Sequence, residues 1–140
     1  MYFQFPPFLE KLPVKAKDEF CAMYEKEMEM SKNQLHDKLQ KFAAKYGVER
    51  AANKLIKDGL EFEKKRYEVL TERLRKVEGD ESVKKIIVGV LKLQQKMDMP
   101  LGEMQEAMDK LTSGVVRSTE EEIVRLWNMI CPDDIHGTCK

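Results

Sequence analysis

The longest regular pattern of apolar positions runs from Val48 to Val77, and we predict one uninterrupted helix there. At about 100° per residue, its apolar positions share an arc of roughly 180°. Because one neighbouring helix cannot cover so wide a face, we expect a central helix that the preceding and following segments cover from two sides. Its apolar positions are Val48, Ala52, Leu55, Ile56, Leu60, Phe62, Tyr67, Val69, Leu70, Leu74 and Val77.

The segment before the central helix predicts a helical hairpin. Pro13 suits the first turn of a helix, which we expect to end near Glu29. Ser31 is a good N-cap for the second helix, and Gly47 is a good C-terminal stop. Prolines keep the apolar lead Phe5 to Leu9 extended, and we expect it to lie across the helices.

Three further helices are predicted after the central helix. Asp80 is placed to cap the first of them. Ile86 to Val90 in this helix is β-branched and would also suit a strand, but no other stretch offers a partner strand, so we interpret it as helical. Pro100 begins the next helix and Gly114 ends it.

The last predicted helix has two alternative capping boxes and ends before Pro132. Either Ser118 pairs with Glu121 or Thr119 pairs with Glu122. The predicted fold class is therefore all-α, with about six helices arranged as two helical hairpins packed on a long central helix.

The chain of 140 residues suits a single domain, which we place at residues 5–131. We expect residues 132–140 to form a flexible tail. Tyr2, Phe3 and Gln4 resemble the end of a protease cleavage site, so residues 1–4 are interpreted as a remnant of an expression tag.

The charge balance argues against two classes of partner. Lysine and arginine total 25, as do aspartate and glutamate, which leaves no overall field to attract nucleic acid or an anionic membrane. No apolar run approaches the roughly 18 residues of a membrane span. We predict neither nucleic-acid binding nor a membrane span.

The two hairpins resemble each other in sequence. When residues 27–43 are laid over residues 96–112, every apolar position keeps its register. This match indicates either an internal duplication or the agreement that any two amphipathic hairpins can show.

A calcium loop of the helix-loop-helix type needs about twelve residues with acids at alternate positions. The connections around Met30 and Met99 are shorter and carry one acid each, which excludes such a loop.

The sequence offers no pattern for catalysis, and we predict that the protein is not an enzyme. His36 and His136 stand outside any spaced metal-ligand motif, and no serine lies in a nucleophile elbow. Asp133, Asp134 and His136 lie close together, either as a weak divalent-ion site or as part of a plain tail.

Two polar residues interrupt the apolar arc of the central helix. Glu63 and Arg66 are three residues apart and can pair with each other. Because a buried ion pair is costly unless satisfied, they form either a polar seam between the hairpins or the floor of a ligand site. Gly59 also lies inside this helix, and the close approach of another helix would explain it.

The sequence contains nine methionines, an unusually high number for its length. Flexible thioethers line many promiscuous grooves, and they also fill cores. As a candidate apolar ligand groove we name Met23, Met28, Met30, Leu35, Met97, Met99, Met104 and Met108.

Several motifs resemble the SXP/RAL family of small nematode antigens, described as an Anisakis-allergen-like cation-binding domain. They are the prolyl lead Pro6 to Leu9, the hairpin from Met28 to Leu35, and above all Phe42 to Val48, in which an aromatic, alanine and lysine lead into Gly47. The likeness extends from Pro6 to about Ile130. It implies an all-helical, secreted protein without enzymatic activity, which binds calcium or magnesium and is recognised by host antibodies.

For the cation, the resemblance suggests the single acid of each hairpin connection, Glu29 and Asp98. The three cysteines fit secretion if Cys131 bonds to Cys139 or to Cys21. Two functions therefore compete. One is a binding protein for a divalent cation or for an apolar small molecule or lipid, and the other is an interaction module that acts on host or self proteins.

Overall fold

The computed structural model describes residues 6–131, and within them the chain forms α-helices, two short 3-10 helices and no strand. This confirms the all-α class and the number of helices. The predicted remnant at 1–4 and the tail at 132–140 lie outside the described residues. The six helices are α1 (Val14–Met23), α2 (Lys32–Tyr46), α3 (Glu49–Lys76), α4 (Glu81–Gln94), α5 (Leu101–Thr112) and α6 (Arg117–Ile130), and the 3-10 helices are Pro7–Lys11 and Glu27–Glu29.

The chain divides into two compact units, of which the first comprises residues up to 59 together with 97–102. In this unit α1 packs against α2. Phe20 and Phe42 meet edge to face, with ring centroids 5.6 Å apart. The prolyl lead forms a 3-10 helix instead of staying extended, because a proline at its first position already has a helical φ angle. The buried core residues are Leu9, Ala16, Phe20, Leu39, Phe42, Ala43 and Ala52.

The second unit comprises residues 60–96 and those from 103 onward. Here α4 packs against α6. Arg73 Nη1 donates to the carbonyl of Ile130 at 3.1 Å and so satisfies one of the last acceptors of α6. The buried core residues are Leu70, Leu74, Val83, Ile87, Leu91, Leu126, Ile130 and Cys131.

Most predicted helix ends are confirmed by their caps. The Ser31 hydroxyl accepts from the backbone N–H of Gln34, whose side chain accepts from Ser31 N in return. Gly47 ends α2 with φ of 69°, in the left-handed region that favours glycine. Asp80 accepts from the backbone N–H of Ser82 at the start of α4. Residues 86–90 are helical, as interpreted.

Two predicted ends are wrong. α1 stops at Met23 and not near Glu29, because Met28 is 50% exposed and gives a longer helix no core contact. α6 begins at Arg117 with Val116 as an N-cap that makes no side-chain hydrogen bond. The chain enters α6 two or three residues before the predicted N-caps, soon after the left-handed turn at Gly114, so both predicted capping boxes fall inside the helix.

The central helix is continuous, as predicted, but its apolar arc is not covered throughout. Ala52 belongs to the core of the first unit, and Leu70 and Leu74 belong to that of the second. Between them Leu55 and Phe62 are 42% and 43% exposed. A Cβ atom at Gly59 would meet nothing within 4 Å, so the expected close approach of a helix there is wrong.

The cysteines divide into two chemical states. Cys131 is disulfide-bonded, whereas Cys21 is a free thiol on the surface. The pairing of Cys131 with Cys21 is therefore wrong, and Cys139 lies outside the described residues. None of the helices in residues 6–131 has the length and apolarity needed to cross a bilayer.

Candidate functional site

The connection between α1 and α2 pairs with the segment that leads into α5, within the first unit. The backbone N–H of Asn33 donates to the carbonyl of Met97 at 3.0 Å. The N–H of Leu101 donates to the carbonyl of Met30 at 2.9 Å. Since the order of partners is reversed, the two segments run antiparallel. We call residues 28–33 and 97–102 together the junction.

A side-chain contact joins the two halves of the junction. Asn33 Nδ2 donates to Asp98 Oδ1 at 2.6 Å, and both residues are exposed. A hydrogen bond to an ionised carboxylate is shorter and stronger than a neutral one. Asn33 lies in the first turn of α2, between Ser31 and Gln34 of the capping box, and Ser31 is only 3% exposed. The cap thus fixes the backbone from which Asn33 reaches Asp98.

The second predicted ligand, Glu29, lies in the 3-10 helix of the same junction and is exposed. No hydrogen bond or ion pair among the described residues links it to Asp98. Nor do three acidic, histidine or cysteine side chains of residues 6–131 gather closely enough to hold a metal ion. Asp98 and Asn33 nevertheless offer carboxylate and amide oxygens, the ligand types that calcium and magnesium take. With so few protein donors, a cation bound here would keep several of its waters.

Asn33 is not among the site residues predicted from the sequence, although the match between residues 27–43 and 96–112 contains a signal for it. In that match Asn33 corresponds to Gly102, and Met97 corresponds to Met28. A Cβ atom at Gly102 would lie 2.9 Å from the carbonyl oxygen of Met28. The two close approaches, Asn33 to Met97 and Gly102 to Met28, therefore occupy equivalent positions. This equivalence favours duplication over chance agreement.

The methionines named for an apolar groove occupy different environments. Met30 and Met104 are 8% and 5% exposed and serve as core residues. Met28 is half exposed. The structure brings Met28, Met30, Met97 and Met99 into the junction, whereas Met104 and Met108 follow on α5 in the second unit. The partly buried members of the set are Met23, Leu35, Met97, Met99 and Met108.

Glu63 and Arg66 lie partly buried on α3 in the second unit. Arg66 Nη1 donates to Gln94 Oε1 at 2.8 Å, and its guanidinium carbon lies 5.8 Å from the centroid of the Trp127 ring. Burial lowers the pKa of Arg66, and Glu63 partly offsets this effect. Arg66 thus links α3 with α4 and α6 within the second unit, whereas the predicted polar seam lay between the two hairpins.

A polar cluster that the sequence did not indicate lies in the first unit. Lys45 Nζ donates to Glu19 Oε1 at 2.8 Å. The hydrogen bond from Lys45 lowers the pKa of Glu19. Burial, and then the nearby Glu19 carboxylate, raises the pKa of Tyr46. The Tyr46 hydroxyl itself is buried without a hydrogen-bond partner among the described residues. The cluster joins α1 to the last turn of α2.

The remaining candidates contribute little to a site. His36 is partly buried on α2. The tail candidates Asp133, Asp134 and His136 lie outside the described residues. The junction is therefore the part of the described chain that combines predicted ligand residues with a defined geometry.

Comparison with known proteins adds one match. Residues 2–115 match the family model described as "SXP/RAL-2 family protein Ani s 5-like, metal-binding domain". The match confirms the resemblance seen in Phe42 to Val48. No curated protein matches the chain, and no solved structure does.

Proposed function

Because this chain belongs to the SXP/RAL-2 family and its matching domain is described as metal-binding, we propose that it is a secreted, non-enzymatic nematode antigen that binds calcium or magnesium weakly at the junction. The contact between Asn33 and Asp98 carries this proposal. This hydrogen bond fixes the exposed Asp98 carboxylate between the two backbone segments of the junction.

The chemistry of the donors suits a hard divalent cation. Asp98 supplies a charged oxygen, and the side-chain carbonyl of Asn33, which takes no part in its hydrogen bond to Asp98, supplies a neutral oxygen. Glu29, in the same junction, is the third oxygen donor we assign. Magnesium is usually held by one or two carboxylates while it retains waters, and calcium takes six to eight oxygens. A site with two acids therefore has low affinity for either ion.

Secretion is supported by the disulfide at Cys131. Disulfides form and persist in oxidising compartments such as the extracellular space. The free Cys21 on the surface does not oppose this assignment, because one thiol of an odd set must stay unpaired or bond to another molecule.

A second candidate function is an interaction with host or self proteins. Its support is the exposure of large apolar side chains on α3, of which Leu60 and Phe62 are 38% and 43% exposed. Because residues two apart on a helix lie on different faces, each would offer a separate apolar contact to a partner. The apolar small-molecule or lipid groove of methionines stays a prediction, for which mass spectrometry of the natively purified protein would reveal a co-purifying lipid.

Calorimetric titration with calcium chloride and magnesium chloride tests the proposed cation site. The variant D98N keeps an acceptor for the Asn33 amide and removes the charge, so it separates cation binding from the hydrogen bond. The control is D58N, which removes an exposed carboxylate from α3. We expect D58N to bind as the unaltered chain does and D98N to lose the heat of binding. Equal binding by the two variants would place the cation elsewhere.

A further inference from the structure

A groove of about 370 Å³ opens between the C-terminal half of α3 and α4, wholly within the second unit. It lies apart from the junction, and neither the sequence patterns nor the family description assigns it a role. Its floor is apolar, with Leu74 from α3 and Val88 and Gly89 from α4. Its rim is cationic.

The cations of the rim are unusual in a chain whose charges balance. Arg75, Lys84, Lys85 and Lys92 line the groove, together with a single acid, Glu81. Four positive charges and one negative charge leave a local excess of three. Such an excess on a neutral chain is a local attraction for an anion.

Two of these cations already serve the fold. Lys84 Nζ donates to the carbonyl of Val77 beyond the end of α3 and lies 3.5 Å from Glu81. Arg75 pairs with Glu72 at 2.6 Å. The ion pairs with Glu81 and Glu72 offset the charges of Lys84 and Arg75, so neither residue accounts for an anion site alone.

Lys85 and Lys92 have no such role. Both are exposed, and neither forms a hydrogen bond or ion pair with any residue in the described part of the chain. They are seven residues apart on α4, with Gly89 between them, so all three share one helix face. Two available ammonium groups therefore flank the apolar floor.

We propose that this groove binds a fatty acid, with its carboxylate at Lys85 or Lys92 and its alkyl chain along Leu74, Val88 and Gly89. A small inorganic anion would pair with the lysines but would make no contact with the apolar floor. A neutral apolar molecule would contact the floor but would form no ion pair with the lysines. The combination fits a monomeric anionic amphiphile, whose alkyl chain gains about 0.8 kcal/mol for each CH2 group that it buries.

Fluorescence titration with 11-(dansylamino)undecanoic acid, followed by competition with dodecanoate, tests the proposal on the full chain. We expect the probe to bind and dodecanoate to displace it. Acetate lacks the chain and dodecanol lacks the charge, so each should displace the probe at least about tenfold less well, as the loss of about 1.4 kcal/mol implies. Equal competition by dodecanol would overturn the role of the lysines.

The matched variants are K85E/K92E in the groove and K64E/K65E on an exposed part of α3 outside it. Both reverse two exposed lysines, so they change the net charge by the same amount. We expect the affinity for the probe to fall about tenfold in K85E/K92E and less than about twofold in K64E/K65E. Equal losses would overturn the site.

Circular dichroism of each variant confirms that its helices are retained before binding is compared. Binding to phosphatidylserine vesicles without displacement of the probe by dodecanoate would also overturn the proposal, because it would assign the lysines to a membrane surface. The cation site at the junction is independent of these results, since D98N leaves all residues of the groove unchanged.

Discussion

Asn33 donates its side-chain amide to Asp98 at 2.6 Å, although 65 residues of chain separate them. Two backbone hydrogen bonds flank this contact, from Asn33 to Met97 and from Leu101 to Met30. Together they bring the segment before α5 into the first unit, far along the sequence from its helices. Asp98, one of the predicted acidic ligands, is thus held in position by Asn33 of the other hairpin.

Gly102 and Gly59 predict opposite effects of the same substitution. A Cβ atom at Gly102 would lie 2.9 Å from a backbone oxygen, that of Met28. We expect G102A to lower the free energy of unfolding by about 1–3 kcal/mol through overpacking. G59A is the control, since open space surrounds Gly59 in the interior of α3. It should stabilise the protein by up to about 1 kcal/mol, and urea denaturation measures both. Equal losses from the two substitutions would contradict the close approach at Gly102.

Ser31 and Ser118 test which serine caps a helix. Ser31 holds the capping box of α2 and is buried, so S31A should cost about 1 kcal/mol of unfolding free energy. S118A lies inside α6 and removes no cap, so its effect should stay within about 0.5 kcal/mol. Thermal unfolding of the two variants gives the comparison. A larger loss from S118A would restore the capping box expected from the sequence.

The ion pair of Glu19 with Lys45 predicts a pH dependence of stability. The hydrogen bond from Lys45 lowers the pKa of Glu19. Its contribution is fully present above the ordinary glutamate pKa of about 4.3 and is lost as the pH falls through the lowered pKa. E19Q removes this titration. The difference in unfolding free energy between the unaltered chain and E19Q should therefore shrink as the pH is lowered below about 4.

Urea denaturation at several pH values measures that difference. E10Q serves as the control, because Glu10 is exposed and forms no ion pair within residues 6–131. Its difference from the unaltered chain should stay flat. A flat difference for E19Q as well would show that the ion pair with Lys45 does not form in solution.

The cysteine states predict a simple labelling result. Iodoacetamide added to the denatured, unreduced protein should modify Cys21 and leave Cys131 unmodified. After reduction it should modify all three. Mass spectrometry counts the added groups. Three modifications without reduction would contradict the disulfide at Cys131.

The local features of the fold could be predicted because each depends on a few neighbouring residues. Ser31, Gly47 and Asp80 mark helix ends through caps that involve two or three adjacent positions. The end of α1 could not be predicted in this way. Its apolar repeat continues to Met28, and only the exposure of that side chain shows that the helix does not extend so far.

The contacts of the site that could not be predicted from the sequence are those between residues far apart in the chain. Asp98 was named because it is the one acid of its connection, but its partner Asn33 depends on which connections meet. The burial of the apolar face of α3 could not be predicted for the same reason. Periodicity places Leu55 and Phe62 with Leu70 on one face, yet it cannot show where along the helix a neighbour ends.

The thermal unfolding midpoint in calcium or magnesium chloride tests the cation site most directly. A ligand that binds the folded state raises the midpoint as its concentration rises. We predict a rise of the midpoint at millimolar calcium or magnesium for the unaltered chain and for D58N, and none for D98N. A midpoint that does not move with either ion, or one that moves equally in D98N, would contradict cation binding at Asp98.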